Sequence, residues 1–196
     1  HGDTATDSHL AVPTIGLSPD VLAARELVPF EAAVAAGTLG VMTSHILVPA
    51  IDPALPATLS ASVLGLLRGR LGFRGVIVSD ALDMAGASGG RGIPAAAALA
   101  LAAGVDLLCI GTDNTPDQLD AIRAEVLRAV RDGELTEDRV FEAAERVSGL
   151  SATIASLRRA ASPVGPAAVP PLSPAGFWLR EPVRPMPSPV FLRLDS

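Results

Sequence analysis

The chain reads as a parallel α/β fold. Three short, mainly apolar runs have the character of buried strands: Leu39–Leu47, Val76–Val78 and Asp106–Ile110. Strands without polar alternation belong to parallel sheets covered on both faces. Between the runs lie segments whose apolar residues recur at helical spacing. The two kinds of element alternate along the chain, which is the order of a parallel α/β sheet.

Taken in order, His1 to Leu17 is polar and loop-like. Ser18-Pro19 supplies an N-cap followed by proline at the first helical position. The helix runs to about Val28, breaks at Pro29, resumes to Ala36 and stops at Gly37. After the strand Leu39–Leu47 comes a proline-rich loop with Pro49, Pro53 and Pro56. Ser60 caps the next helix, whose stripe is Val63, Leu64, Leu67 and Leu71, and Gly72 to Gly75 turns out of it. Ser79-Asp80 sits at the end of the strand Val76–Val78, and a glycine-rich loop, Gly86 to Gly92, leads into a helix from Pro94 to Ala103. Following the strand Asp106–Ile110, Thr115-Pro116 opens a helix with Leu119, Ile122, Val126 and Val130 on one face. Thr136 opens the last helix, striped by Val140, Ala144, Val147, Leu150, Ile154 and Leu157. Residues 1–161 form this domain. From Pro163 onward nine of the 34 residues are proline, so residues 162–196 are expected to be disordered or loosely docked.

Three strand–helix units are legible, whereas a closed (β/α)8 barrel takes eight and about 250 residues. An open parallel sheet leaves strand edges and apolar faces exposed. The count alone therefore implies a portion of a larger fold.

Composition excludes some functions. Of 196 residues, 49% are apolar and 18% charged, enough for a sizeable core. All 15 basic residues are arginine, and the net charge of −6 argues against a nucleic-acid surface. The single Cys109 forms no internal disulfide and reads as plain strand core. Ile93 to Val105, the most apolar run, has only 13 residues, short of the roughly 20 that span a membrane.

Two places carry candidate chemistry. A carboxylate at the C-terminal end of a parallel strand points into the mouth of an α/β fold, where catalytic groups sit. Asp80 is so placed, although an N-cap or loop aspartate would look the same. In the opening loop, Asp7-Ser8-His9 sets an aspartate beside a histidine, an arrangement that fixes a tautomer and serves proton transfer. A solvated loop or a metal site with no clear third ligand are the other readings. His45 either faces the same mouth or is a satisfied core histidine.

These residues fall in motifs that resemble family 3 glycoside hydrolases. His1-Gly-Asp-Thr-x-x-Asp-Ser-His9-x-x-x-Pro13 is similar to the second half of the family's Lys-His-Phe-Pro-Gly-His-Gly-Asp-Thr…Asp-Ser-His signature. Val41-Met-Thr-Ser-His45…Pro49-Ala-Ile-Asp-Pro53…Pro56-Ala-Thr-Leu-Ser60 resembles the next strand and its loop. Leu66-Leu-Arg-Gly-Arg-Leu-Gly-Phe-Arg-Gly-Val-Ile-Val-Ser-Asp-Ala-Leu-Asp-Met84 resembles the nucleophile region. Order and spacing agree over roughly residues 1–157.

The resemblance implies the C-terminal portion of a (β/α)8 TIM barrel, incomplete, from the β-N-acetylhexosaminidase branch. It makes Asp80 the nucleophile, His9 the general acid/base and Asp7 the group that orients it. His1 would line the sugar pocket, with His45 and Met84 near it. The implied reaction is retaining hydrolysis of terminal β-linked N-acetylglucosamine from peptidoglycan or chitin-type fragments, with no metal or organic cofactor. The family's Lys-His pair, and an Arg and an Asp that hold the sugar, would precede His1, together with the first half of the barrel. Little turnover is therefore expected of these residues alone. A β-N-acetylglucosaminide phosphorylase, a non-catalytic remnant or binding module, and an unrelated α/β binding domain are the competing readings. Either the cytoplasm or the cell wall would suit the activity.

Overall fold

The structure is a computed structural model that describes residues 2, 4, 12–112 and 114–160. The chain divides into two units, His1–Arg158 and Arg159–Ser196, and nearly all described residues lie in the first.

The segment before the first helix lies beside Leu47 in a parallel bridge from Thr14. Ser18 then caps α1 (Pro19–Val21), its hydroxyl accepting the Val21 N–H at 3.4 Å. The helix continues through a π-helical turn, Leu22–Glu26, and restarts as α2 (Val28–Ala35). Pro29 explains the break, because it has no N–H for the carbonyl one turn back. Gly37, at φ +79°, ends the helix.

The parallel sheet is smaller than the apolar runs suggest. β1 (Gly40–Met42) pairs in parallel with β4 (Val76–Val78), in the register Gly40↔Val76 to Met42↔Val78. The expected third strand is reduced to one bridge, Val78↔Leu107, flanked by Asp106 N–H to Ile77 O at 2.8 Å and Ser79 N–H to Leu107 O at 2.9 Å. Between β1 and β4 the proline-rich loop contains an unforeseen antiparallel pair, β2 (Leu47–Val48) and β3 (Asp52–Pro56). Asp52 organises it: Oδ1 accepts the N–H groups of Ala54 and Leu55 at 2.9 and 3.0 Å, and Oδ2 accepts the Ser60 hydroxyl at 2.6 Å. Ser60 in turn caps α3 (Ala61–Gly65) through Val63 N–H, and the helix continues as a π-helical turn over Leu66–Arg70.

Beyond β4, the glycine-rich loop contains a single turn, α4 (Ala85–Ser88), before α5 (Ile93–Ala103). Then come α6 (Pro116–Arg131), capped by Thr115, and α7 (Glu137–Ala160), capped by Thr136. The core falls into separate clusters, one of which contains Ile77 of β4. Ile77, Leu59, Leu64, Phe73, Ala100 and Val105 form one cluster. Leu82, Ala96, Ala97 and Ala98 of α5, and Ile122, Val126 and Ala129 of α6 form another. The α7 stripe is covered only near its start: Val140 packs on the second cluster and Ala143 is buried, whereas Ile154 and Leu157 are exposed. No helix among the described residues is long and apolar enough to cross a membrane.

Candidate active site at the end of β4

Asp80 follows β4 at its C-terminal end and is half-buried. Neighbours on both sides hold the backbone that presents it. On the β1 side, Thr43 N–H reaches Val78 O at 2.8 Å, and Thr43 Oγ1 accepts the Asp80 N–H at 3.3 Å. On the other side Ser79, fully buried, accepts the Cys109 N–H on its hydroxyl at 2.8 Å, and Leu82 N–H bonds the Cys109 carbonyl at 2.9 Å. A serine side chain thus replaces a ladder bond where the two strands diverge. Within the Asp80 carboxylate, Oδ1 accepts Ala81 N–H at 2.8 Å. Among the described residues no other donor reaches the carboxylate.

His45 lies beneath this turn rather than in its mouth. It is fully buried. Its Nδ1 is 2.9 Å from Thr58 Oγ1, and its Nε2 is 2.9 Å from the Ala81 carbonyl. Of the two readings of this residue, the structure gives the satisfied core histidine, with both ring nitrogens taken by protein. The loop above leaves it no room: a β-carbon on Gly86 would come within 2.7 Å of His45 Cβ. Met84 is half-buried and precedes α4, its N–H bonding Ala81 O at 3.2 Å.

His1, Asp7 and His9 lie outside the described residues. The structure therefore assembles Asp80, Ser79, Thr43, Thr58 and His45 around one strand end, and leaves the opening-loop dyad as the sequence had it.

Asp83 was not singled out by sequence. Its Oδ2 accepts Thr112 N–H at 3.3 Å, and a β-carbon on Gly111, at φ +110°, would overlap its carboxylate. Asp83 therefore ties the loop after Asp80 to the loop after the third strand position. Thr43, Thr58 and Ser79 were also missed as site residues. For Thr43 and Ser79 the available signal was a polar side chain at the C-terminal end of an apolar run.

A mainly apolar hollow is lined by Ile15, Leu22, Val41, Ile46 and Leu67, among others, and Asp80 is not in its wall. Sugars need convergent polar groups, so this hollow is no substitute for the strand end. Among the described residues no three of His, Cys, Asp and Glu are placed to hold a metal ion. At the hairpin behind the site, the Ser60 hydroxyl, then the N–H groups of Ala54 and Leu55, hold the Asp52 carboxyl below the usual carboxylate range.

Comparison with known proteins shows what the chain as a whole is similar to. The sequence model described as the glycosyl hydrolase family 3 N terminal domain matches residues 1–150. A beta-hexosaminidase of Chromobacterium violaceum is 36% identical over 151 residues, covering 77% of this chain and 40% of that protein. One from Alkalilimnicola ehrlichii is 41% identical over 125 residues, covering 62% of the chain and 34% of the relative. Among solved structures, a glycoside hydrolase family 3 beta-N-acetylglucosaminidase from Paenibacillus sp. aligns with a TM-score of 0.72 at 39% identity, over 89% of this chain and 32% of that one. The chain thus spans two fifths or less of the length of these relatives.

Proposed function

Because the chain belongs to glycosyl hydrolase family 3, we propose that it supplies the reacting carboxylate for retaining hydrolysis of terminal β-linked N-acetylglucosamine. The observation that carries this reading is Asp80: a carboxylate at the C-terminal end of a parallel strand, its backbone held from both sides and one oxygen left without a protein donor among the described residues. That oxygen attacks the anomeric carbon, and the glycosidic bond breaks as the leaving oxygen takes a proton from His9. Water then attacks the glycosyl-enzyme, His9 takes its proton, and Asp80 is freed.

A retaining mechanism normally uses two carboxyl groups about 5 Å apart. In this reading an imidazole replaces one of them. An imidazole ordinarily titrates near 6.5 and so can give and take a proton around neutrality without the burial a carboxyl group would need. Asp7 orients His9, while His1 and Met84 border the sugar. The substrates are small peptidoglycan or chitin-type fragments.

The parallel strand positions among the described residues do not close an eight-stranded mouth, and positioning is worth roughly 7–11 kcal/mol of a barrier. The 196 residues alone are therefore expected to release a chromogenic group from its β-N-acetylglucosaminide near background rate. Completed with the preceding barrel segments of a family relative, the protein should turn over, and Asp80→Ala should abolish the release. Undiminished release by that variant in the completed protein overturns the reading.

A further inference from the structure

Around Asp80 the hydrogen bonds form a closed loop, and its direction is fixed at both ends. The Asp80 backbone N–H can only donate, and Thr43 Oγ1 receives it at 3.3 Å. The Ala81 carbonyl can only accept, and His45 Nε2 lies 2.9 Å from it. Nε2 therefore carries a hydrogen, since the other tautomer would set two lone pairs against each other. In the neutral ring Nδ1 is then an acceptor, and its neighbour Thr58 Oγ1, at 2.9 Å, supplies the hydrogen. Having given its one hydrogen, Thr58 Oγ1 accepts from Thr43 Oγ1 at 2.8 Å. The Ser44 carbonyl, which takes Thr58 N–H at 3.3 Å, is a competing acceptor for the Thr58 hydroxyl at 3.0 Å, but a hydrogen given there would leave the lone pairs of the unprotonated Nδ1 and of Thr58 Oγ1 facing each other. The order is thus Asp80 N–H, Thr43, Thr58, His45, Ala81 carbonyl, with each hydroxyl donating once.

We propose that this loop sets the attitude of the Asp80 carboxylate, and that His45 is a positioning residue acting through Ala81 and Thr58. The proposal rests on the reading of Asp80 as the attacking group. Its physical content is local. The loop holds the chain at Asp80 N and at Ala81 O, and between these points Ala81 N–H is aimed at Asp80 Oδ1. Fixing the peptide decides which carboxylate oxygen is occupied and which is left to attack. Hydrogen bonds in such a chain polarise one another, and burial makes any broken link costly. Core packing alone would require the shape of Thr58 and His45 but not their hydrogens.

The test uses the ¹⁵N-labelled chain, which has three histidines. Long-range proton–nitrogen spectra should give His45 a protonated Nε2, an unprotonated Nδ1 and a slowly exchanging ring N–H, all assigned by their loss in His45→Gln. Thr58→Val keeps the shape and removes the hydroxyl. It should shift the Asp80 and Ala81 amide resonances and speed Asp80 amide exchange about tenfold, as expected for one lost hydrogen bond, with distant amides unmoved. Thr58→Ser should restore both. Should Thr58→Val fail to fold, Thr43→Val breaks the same loop at its other hydroxyl and should move the same two amides. A protonated Nδ1, amides of Asp80 and Ala81 indifferent to the loss of either hydroxyl, or failure of Thr58→Ser to rescue would overturn the proposal. None of these readings depends on turnover. An Asp80→Ala variant that still hydrolyses substrate therefore removes the functional reading and leaves the loop as measured.

Discussion

Two aspartates stand near adjacent strands and are treated in opposite ways. Asp106, where the third strand position begins, has a fully buried side chain ringed by donors. Arg68 and Ile77 N–H bind its Oδ2, the latter at 2.9 Å, while Arg139 and Arg146 reach Oδ1 at 2.6 and 3.2 Å. Asp80, at the far end of β4, has one backbone donor and partial exposure. A carboxylate with every lone pair committed is a structural clamp: here it draws α7 and the π-helical turn after α3 onto the start of β4. One with an oxygen to spare is free to act as a reagent, the role proposed for Asp80. The difference matches the division of labour in (β/α)8 folds, where the C-terminal ends of strands carry chemistry and the opposite ends carry stability.

That contrast makes two predictions of different kind. In the completed protein, Asp80→Ala should lower kcat by a factor on the order of 10⁴ or more, the scale of losing a member of a catalytic unit. Its urea midpoint should stay close to that of the parent, because among the described residues the lost side chain bonds only Ala81 N–H. Asp106→Ala should do the reverse. It removes the acceptor that three arginines and Ile77 N–H share, and stripping one partner from a buried ion cluster costs about 3–5 kcal/mol. Urea unfolding should show that loss, with kcat per folded molecule nearly unchanged. If Asp106→Ala proved neutral in stability, the clamp would be incidental and the comparison would fail.

The sequence was legible where one residue decides the local outcome. Ser18, Ser60, Thr115 and Thr136 cap helices as their positions suggest, and Pro29 and Gly37 break the first helical segment where expected. The strand-end position of Asp80 was legible because it follows a wholly apolar strand. Membership of the family was legible from ordered motifs. The strands were overestimated, since apolar character does not say whether a partner lies on each side: Val76 and Ile77 are buried, yet Met42 of β1 is 59% exposed and Leu107 is 39% exposed. The β2–β3 pair was masked by its prolines and is made by Asp52 bonds that no periodicity reports. The role of Thr58 was invisible for a related reason. Its partners are 13 and 15 residues away, joined only once the hairpin has folded.

Asp52 sharpens the comparison further, because it has donors in number but no cation. Three hydrogen bonds hold it, from the Ser60 hydroxyl and the Ala54 and Leu55 N–H groups. These bonds hold the carboxyl below its usual value of 3.8. A carboxyl group depressed on folding contributes stability that is fully present above its unfolded value and is lost as pH falls through its lower, folded one. Asp52→Asn keeps an oxygen for the two N–H groups but replaces the charged acceptor of the Ser60 hydroxyl with an amide. The gap in unfolding free energy between parent and variant should therefore be flat from neutral pH down to about pH 5 and should close only below about pH 4, where the parent carboxylate is protonated. The effect should be the smallest of the three, because this hairpin carboxylate is part-exposed and solvent screens it. A gap that instead widened as the solution became more acid would mean that the hairpin prefers the protonated group, and that donor number alone does not make an aspartate structural.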